Sequence, residues 1–152
     1  MKLAKLRLLV CIGATLLIGP EGGQACTCMA PATAAEGFEK SSAVFRGRVT
    51  KIYRPFLDTA GITRSGNYRV KFEITKRWKG PQSKSIVVTT RLSGEACGFP
   101  FEEKKEYLVY VATGPAANIE TGICTGTKSL VGTEPEMEQL DQLLKKSTHR
   151  KR

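Results

Sequence analysis

Histidine is almost missing from this chain. Its 152 residues contain one, His149, set in the basic run Lys145–Arg152 where no packed site is expected around it. That removes Ser-His-Asp and Cys-His hydrolases and the two-His zinc enzymes as function classes. Aromatic residues are scarce too, at 7% with a single Trp, which argues against a platform that stacks nucleic-acid bases. The apolar run Leu8–Ile18, broken by Pro20, is far short of the ~20 residues that cross a bilayer. No Cys-x-x-Cys motif supports disulfide exchange. Neither Asn67-Tyr68-Arg69 nor Asn118-Ile119-Glu120 is a glycosylation acceptor. At this length a second independent core would be too small, so one domain is expected.

What is present begins with an address. Lys2, Lys5 and Arg7 precede the apolar run, and Gly23 and Ala25 stand three and one before Cys26, the pattern of a secretory signal peptide cut between Ala25 and Cys26. Removal of residues 1–25 takes away three cations and Glu21, leaving 127 residues, and the formal charge falls from +10 to +8. Five of the remaining cations lie in the tail 145–152, so the domain 26–144 carries about +3. A bacterial lipoprotein also matures at a Cys, but its signal usually has an apolar residue and then a small one before the last position, where this chain has Gly23 and Gln24. A secreted protein, extracellular or periplasmic, is the expectation.

Cys11 leaves with the signal, and Cys26, Cys28, Cys97 and Cys124 remain. An even set in an exported chain favours disulfides over a zinc site. Three pairings are possible. A bond within Cys26-Thr27-Cys28 closes a very tight ring, which favours tying each of these two to one of the distant pair. Each long-loop bond is worth about 4 kcal/mol in the chain-entropy model.

The Ala-rich segment Ala30–Lys40 predicts a short helix with Pro31 near its first turn. Ala43–Tyr53 and Arg69–Trp78 predict strands, the second alternating Val70, Phe72 and Ile74 against Arg69, Lys71 and Glu73. Between them Arg54–Asn67 forms a long hairpin connection. Further strands are expected at Ser85–Leu92 and Glu106–Thr113, with a weak one in Ala117–Cys124. Thr133 with Glu136 predicts a capped helix start, Met137, Leu140, Leu143 and Leu144 form a core-facing stripe, and Lys145–Arg152 follows as a solvated tail. Mainly β with flanking helices, stapled by disulfides, the pattern fits a five-stranded OB-fold-like Greek-key barrel.

Along an extended backbone Cys26 and Cys28 face one way and Thr27 the other. This start, with Pro31 soon after, then Lys76-Arg77-Trp78-Lys79-Gly80, Ala96-Cys97-Gly98-Phe99, and Cys124 ahead of Ser129-Leu130, resembles the tissue inhibitors of metalloproteinases and the wider netrin-like module. The resemblance implies the OB-fold, bonds Cys26–Cys97 and Cys28–Cys124, and inhibition of a zinc metalloprotease. In that family the free amine and carbonyl oxygen of the first Cys chelate the protease zinc at its open position, and the next side chain enters the specificity pocket. Carried over by position, Cys26 is the chelator in trans and Thr27 the pocket residue. Cys28, Met29 and Ala30 complete the wedge, and Glu95, Ala96, Cys97 and Gly98 flank it. The family's third disulfide and second Cys-rich domain have no cysteines here, so the chain resembles an inhibitory domain standing alone, expected as a monomer without a cofactor.

The alternative is a non-inhibitory netrin-like module that holds polyanions through its basic tail, or a partner protein, since fold alone does not license activity. No nucleic-acid partner and no membrane span are expected. Glu102-Glu103 beside Lys104-Lys105 reads as a solvated charge cluster, not a catalytic pair, so no enzymatic activity is expected.

Overall fold

Both faces of the strand Glu106–Thr113 are covered, and that explains its almost unbroken apolar sequence. Tyr107, Val109 and Val111 point into a barrel with Phe45, Val49, Val70, Phe72 and Val88. Leu108 and Tyr110 point the other way, into a second cluster with Val44, Trp78 and Leu140. A computed structural model of the chain describes residues 28–54, 67–91, 97–113 and 119–149. In chain order the elements are α1 (Ala34–Lys40), β1 (Ala43–Tyr53), β2 (Tyr68–Lys79), β3 (Ser85–Thr90), β4 (Glu106–Thr113), β5 (Ile119–Glu120), a 3-10 turn at Ile123–Thr125, β6 (Lys128–Ser129) and α2 (Glu134–His149).

The strand order β1-β2-β3-β5-β4 returns to β1, which closes a five-stranded barrel of the OB-fold type. All pairings are antiparallel except β3 with β5, where Thr89 stands opposite Glu120. β6 adds to β4 outside that ring through Tyr107↔Ser129 and Leu108↔Lys128. Inside, Phe72 packs edge-on against Phe45 and Phe101, at centroid distances of 5.5 and 5.1 Å. Outside, both helices cover β4 and the end of β2, with Met137, Leu143 and Leu144 of α2 and Phe38 of α1 around Trp78 and Tyr110. The predicted α2 stripe is therefore core packing.

Polar groups in that outer layer are matched. The Trp78 indole donates to Asp141 at 2.6 Å and Lys76 reaches the same carboxylate at 2.8 Å. The Tyr110 hydroxyl donates to Glu136 at 2.7 Å, and Lys128 holds the other oxygen of Glu136 at 2.7 Å. Burial, and then the Glu136 carboxylate, push the Tyr110 phenol well above its ordinary range.

Several boundaries differ from the sequence expectation. α1 starts at Ala34, three residues past Pro31, because Thr33 is the cap: its hydroxyl accepts from the Glu36 amide while the Glu36 carboxylate reaches back to the Ala32 amide. At α2 the expected cap is rearranged. Thr133 donates its hydroxyl to Leu130 O, and Glu136 is drawn to Tyr110 and Lys128 instead. The helix then continues through Lys145 and Lys146 to His149, so the first half of the basic run is helical and not a tail. Lys side chains suit a helix carboxyl terminus, and Lys145 lies close enough to Asp141 to lower its pKa. Of the weak last strand, Ile119–Glu120 is observed before the 3-10 turn, and residues 117–118 lie outside the described set. Residues 55–66 of the long connection and residue 92 lie outside the described set. Among the described residues no helix is long and apolar enough to cross a membrane.

Candidate functional site

Three segments distant in sequence meet at one edge of the barrel. Cys28 is bonded to Cys124 across 96 residues, with their Cα atoms 5.5 Å apart; this is one of the two pairings the family resemblance implies. Cys97 is also in a disulfide, and the three sulfurs lie within 4.8 Å of one another. Such a cluster has metal-site proximity, but the metal ligand is a thiolate, and all three of these sulfurs are oxidised. The chemistry here is that of a staple.

The edge is built from close backbone contacts as much as from sulfur. Cys97 has a left-handed backbone, φ 57°, uncommon for a residue with a Cβ. Its carbonyl accepts from the Ile123 amide at 3.3 Å. A Cβ added to Gly122 would lie 2.5 Å from the Cys97 carbonyl oxygen, so only glycine lets the two loops approach this far. The 3-10 turn bearing Cys124 ends at Gly126, φ 90°, which packs against Pro31 and Tyr110. Pro31 thus links the start of the described chain to the loop that holds it.

A knot of hydroxyls fastens the same loop to β4. The Thr121 and Thr127 hydroxyls both donate to Tyr110 O, at 2.9 and 3.1 Å, and lie 2.7 Å apart. The Tyr110 amide in turn donates to Thr127 Oγ1. Thr125 donates to Gly122 O at 2.8 Å. Side chains therefore take over where β4 has no strand neighbour between β5 and β6. Thr121-Gly122-Ile123-Cys124-Thr125-Gly126-Thr127 carried this signal in its spacing, and sequence reasoning missed it.

Of the site residues named from sequence, Cys28, Met29, Ala30, Cys97, Gly98 and Cys124 fall within the described set. Cys28, Met29 and Ala30 are all exposed, and Met29 is 95% accessible. An apolar side chain so open is unusual beside a disulfide, and it borders a cavity lined by Pro31, Lys40 and Cys124. Gly98 is buried and Cys97 half-buried. A larger cleft of about 350 Å³, lined by Asn67, Arg91, Cys97, Glu120 and Cys124 among others, opens next to the sulfur cluster. Cys26, Thr27, Glu95 and Ala96 lie outside the described residues. The Glu102 amide donates to the Tyr107 hydroxyl, and the Glu103 carboxylate accepts from the Ile52 amide.

No protein-family model matches the chain, and no curated protein matches it.

Proposed function

We propose that this chain is a secreted inhibitor of zinc metalloproteases, extracellular or periplasmic, acting through the free amino terminus created at Cys26. The amine and carbonyl oxygen of Cys26 chelate the protease zinc in trans, and Thr27 fills the adjoining specificity pocket. The observation that carries the reading is the convergence of Cys28, Cys97 and Cys124 within 4.8 Å. It anchors Cys28, the first described residue, beside Cys97. Two residues of extended chain span at most about 7 Å, so a terminus starting at Cys26 stays close to that anchored point. Ordering such a terminus before binding lowers the entropy cost of association.

The chemistry sets two conditions. A zinc-binding amine must be deprotonated, and an unperturbed α-amino group has a pKa of about 7.7–8.0, so protons compete with the metal. The amine must also be free, since acylation or extension removes the donor. Mass spectrometry of the mature terminus checks the second condition. Adding one alanine before Cys26 is the decisive variant: it keeps the disulfides and the barrel, and inhibition of a zinc endopeptidase is expected to vanish. Unchanged potency in that variant would falsify the reading.

A second reading is a polyanion-holding module without inhibitory activity. It is favoured by cations with no carboxylate partner among the described residues, such as Lys51, Arg69 and Lys71, and by exposed Lys145 and Lys146. Binding of that kind fades with added salt and survives the extra alanine.

A further inference from the structure

Cations are distributed unevenly over this molecule. Arg46 and Arg48 share Glu106, Lys76 holds Asp141, Lys128 holds Glu136 and Lys40 holds Glu36. At the far end of the β1–β2 hairpin, Lys51, Arg54, Arg69 and Lys71 have no ion-pair partner among the described residues. The register aggravates this, with Lys51 opposite Lys71 and Tyr53 opposite Arg69, and like charges facing across a strand pair repel. Lys51 and Arg69 crowd the Tyr53 ring, 5.1 and 5.8 Å from its centroid, which offsets part of that cost. Arg54, the next residue, is exposed and borders a cavity instead.

That cavity measures about 160 Å³ and opens at the barrel rim. Its walls are Ile52, Tyr68, Val70, Phe99 and Phe101. Thr90, 3% exposed, supplies a hydroxyl whose oxygen accepts from the Phe99 amide at 2.9 Å, and whose proton has no acceptor among the described residues. A closed apolar cavity of about 150 Å³ takes up one benzene ring; this one is half open and presents polar as well as carbon surface, so its volume admits one ring. Among the described residues the charged group lining it is the Arg54 guanidinium.

We propose that this cavity binds a small aromatic carboxylate, its ring against Phe99, Phe101 and Val70 and its charge on Arg54. Arg54 supplies charge-assisted hydrogen bonds to the carboxylate, whereas Lys51, Arg69 and Lys71 alternate with the cavity-lining Ile52 and Val70 and lie on the other face of the sheet. The site is independent of the inhibitory wedge, for none of its residues belongs to the amino terminus or to residues 95–98.

The test is a titration of the ¹⁵N-labelled, disulfide-bonded full chain with phenylacetate, up to about 10 mM, followed by amide shifts. Saturable shifts are expected at Ile52, Val70, Phe99 and Phe101. Arg54→Gln is expected to weaken binding about tenfold, Arg54→Lys less, and the neutral analogue 2-phenylethanol to bind about tenfold more weakly than phenylacetate. Lys146→Gln, on the exposed end of α2, is expected to change nothing. The absence of saturable shifts overturns the proposal. So does equal binding of 2-phenylethanol, or an Arg54→Gln variant indistinguishable from the parent. Inorganic sulfate reproducing the same shifts at the cavity walls overturns it as well, because the ring would then contribute nothing.

Discussion

The barrel with its helix layer and the cysteine edge are held by different physics. In the first, apolar side chains from β1, β2, β3 and β4 fill a closed interior, and every charged or polar group noted in the outer layer has a partner. At the edge, Met29 and Ile123 are exposed, and cohesion comes from sulfur, threonine hydroxyls and a glycine that permits backbone contact. Burial stabilises in proportion to area and tolerates small shifts. Staples and close contacts depend on single atoms. An edge built this way stays fixed while leaving surface open to a partner.

The barrel side has the largest single lever. Phe72 is fully buried against Phe45 and Phe101, and Phe72→Ala is expected to cost about 4 kcal/mol, read as a lower midpoint in a denaturant transition. A loss under about 1 kcal/mol would mean that the interior collapses around the missing ring and is less specifically packed than described here.

Removing the staple is next. Replacing Cys28 and Cys124 together by Ser is expected to cost about 4 kcal/mol, because it frees the unfolded chain. Beyond that global loss, amide exchange should rise more at residues 97–98 and 122–126 than in β1 and β2. Uniform loss across the barrel would erase the distinction between the two regions. Gly122→Ala probes the same edge without touching sulfur. Its Cβ would meet the Cys97 carbonyl oxygen at 2.5 Å, so about 2 kcal/mol of strain is expected, together with displaced amide signals for Cys97 and Ile123.

The same division governs what sequence could reveal. Strands β1, β2 and β4 follow from period-two alternation and from an apolar run too short for a helix, and closure follows from five such strands. The turn at Gly126 and the Thr125 bond to Gly122 are local and legible in their spacing, whereas the approach of Gly122 to Cys97 and the bonds of Thr121 and Thr127 to Tyr110 depend on partners far along the chain. The capping of α2 misled for a related reason. Thr133 and Glu136 have the local spacing of a cap, but Tyr110 and Lys128 offer Glu136 better partners, which only the assembled fold brings near. Helix continuation past Leu144 was hidden by charge, since a basic run reads as a tail until Asp141 is seen one turn before Lys145. Within the candidate site, Cys28 and Cys97 stood out as residue types, whereas the exposure of Met29 depended on the fold.

Acid gives the smallest effect and separates the regions most cleanly. Glu106 is held below the usual carboxylate range, chiefly by its hydrogen bond from Arg46, which outweighs the opposing effect of burial, with Arg48 adding to it. Asp141 is lowered in the same way, first by Lys76 and then by the Trp78 indole. A carboxylate with a depressed folded-state pKa contributes stability at neutral pH, and that contribution is lost as pH falls through the folded value. Each pair is partly exposed, so each is worth under about 1 kcal/mol. Between about pH 5 and pH 3 the parent is expected to lose more stability than a Glu106→Gln, Asp141→Asn variant. Both carboxylates belong to the barrel and helix side, whereas the ion pair described beside the cysteine edge, Lys40 with Glu36, is solvent-exposed and worth less. The fluorescence of the single Trp, buried beside Asp141, should therefore respond before any change in amide exchange at residues 122–126. The reverse order would place the acid-sensitive contacts at the edge and break the division between the two regions.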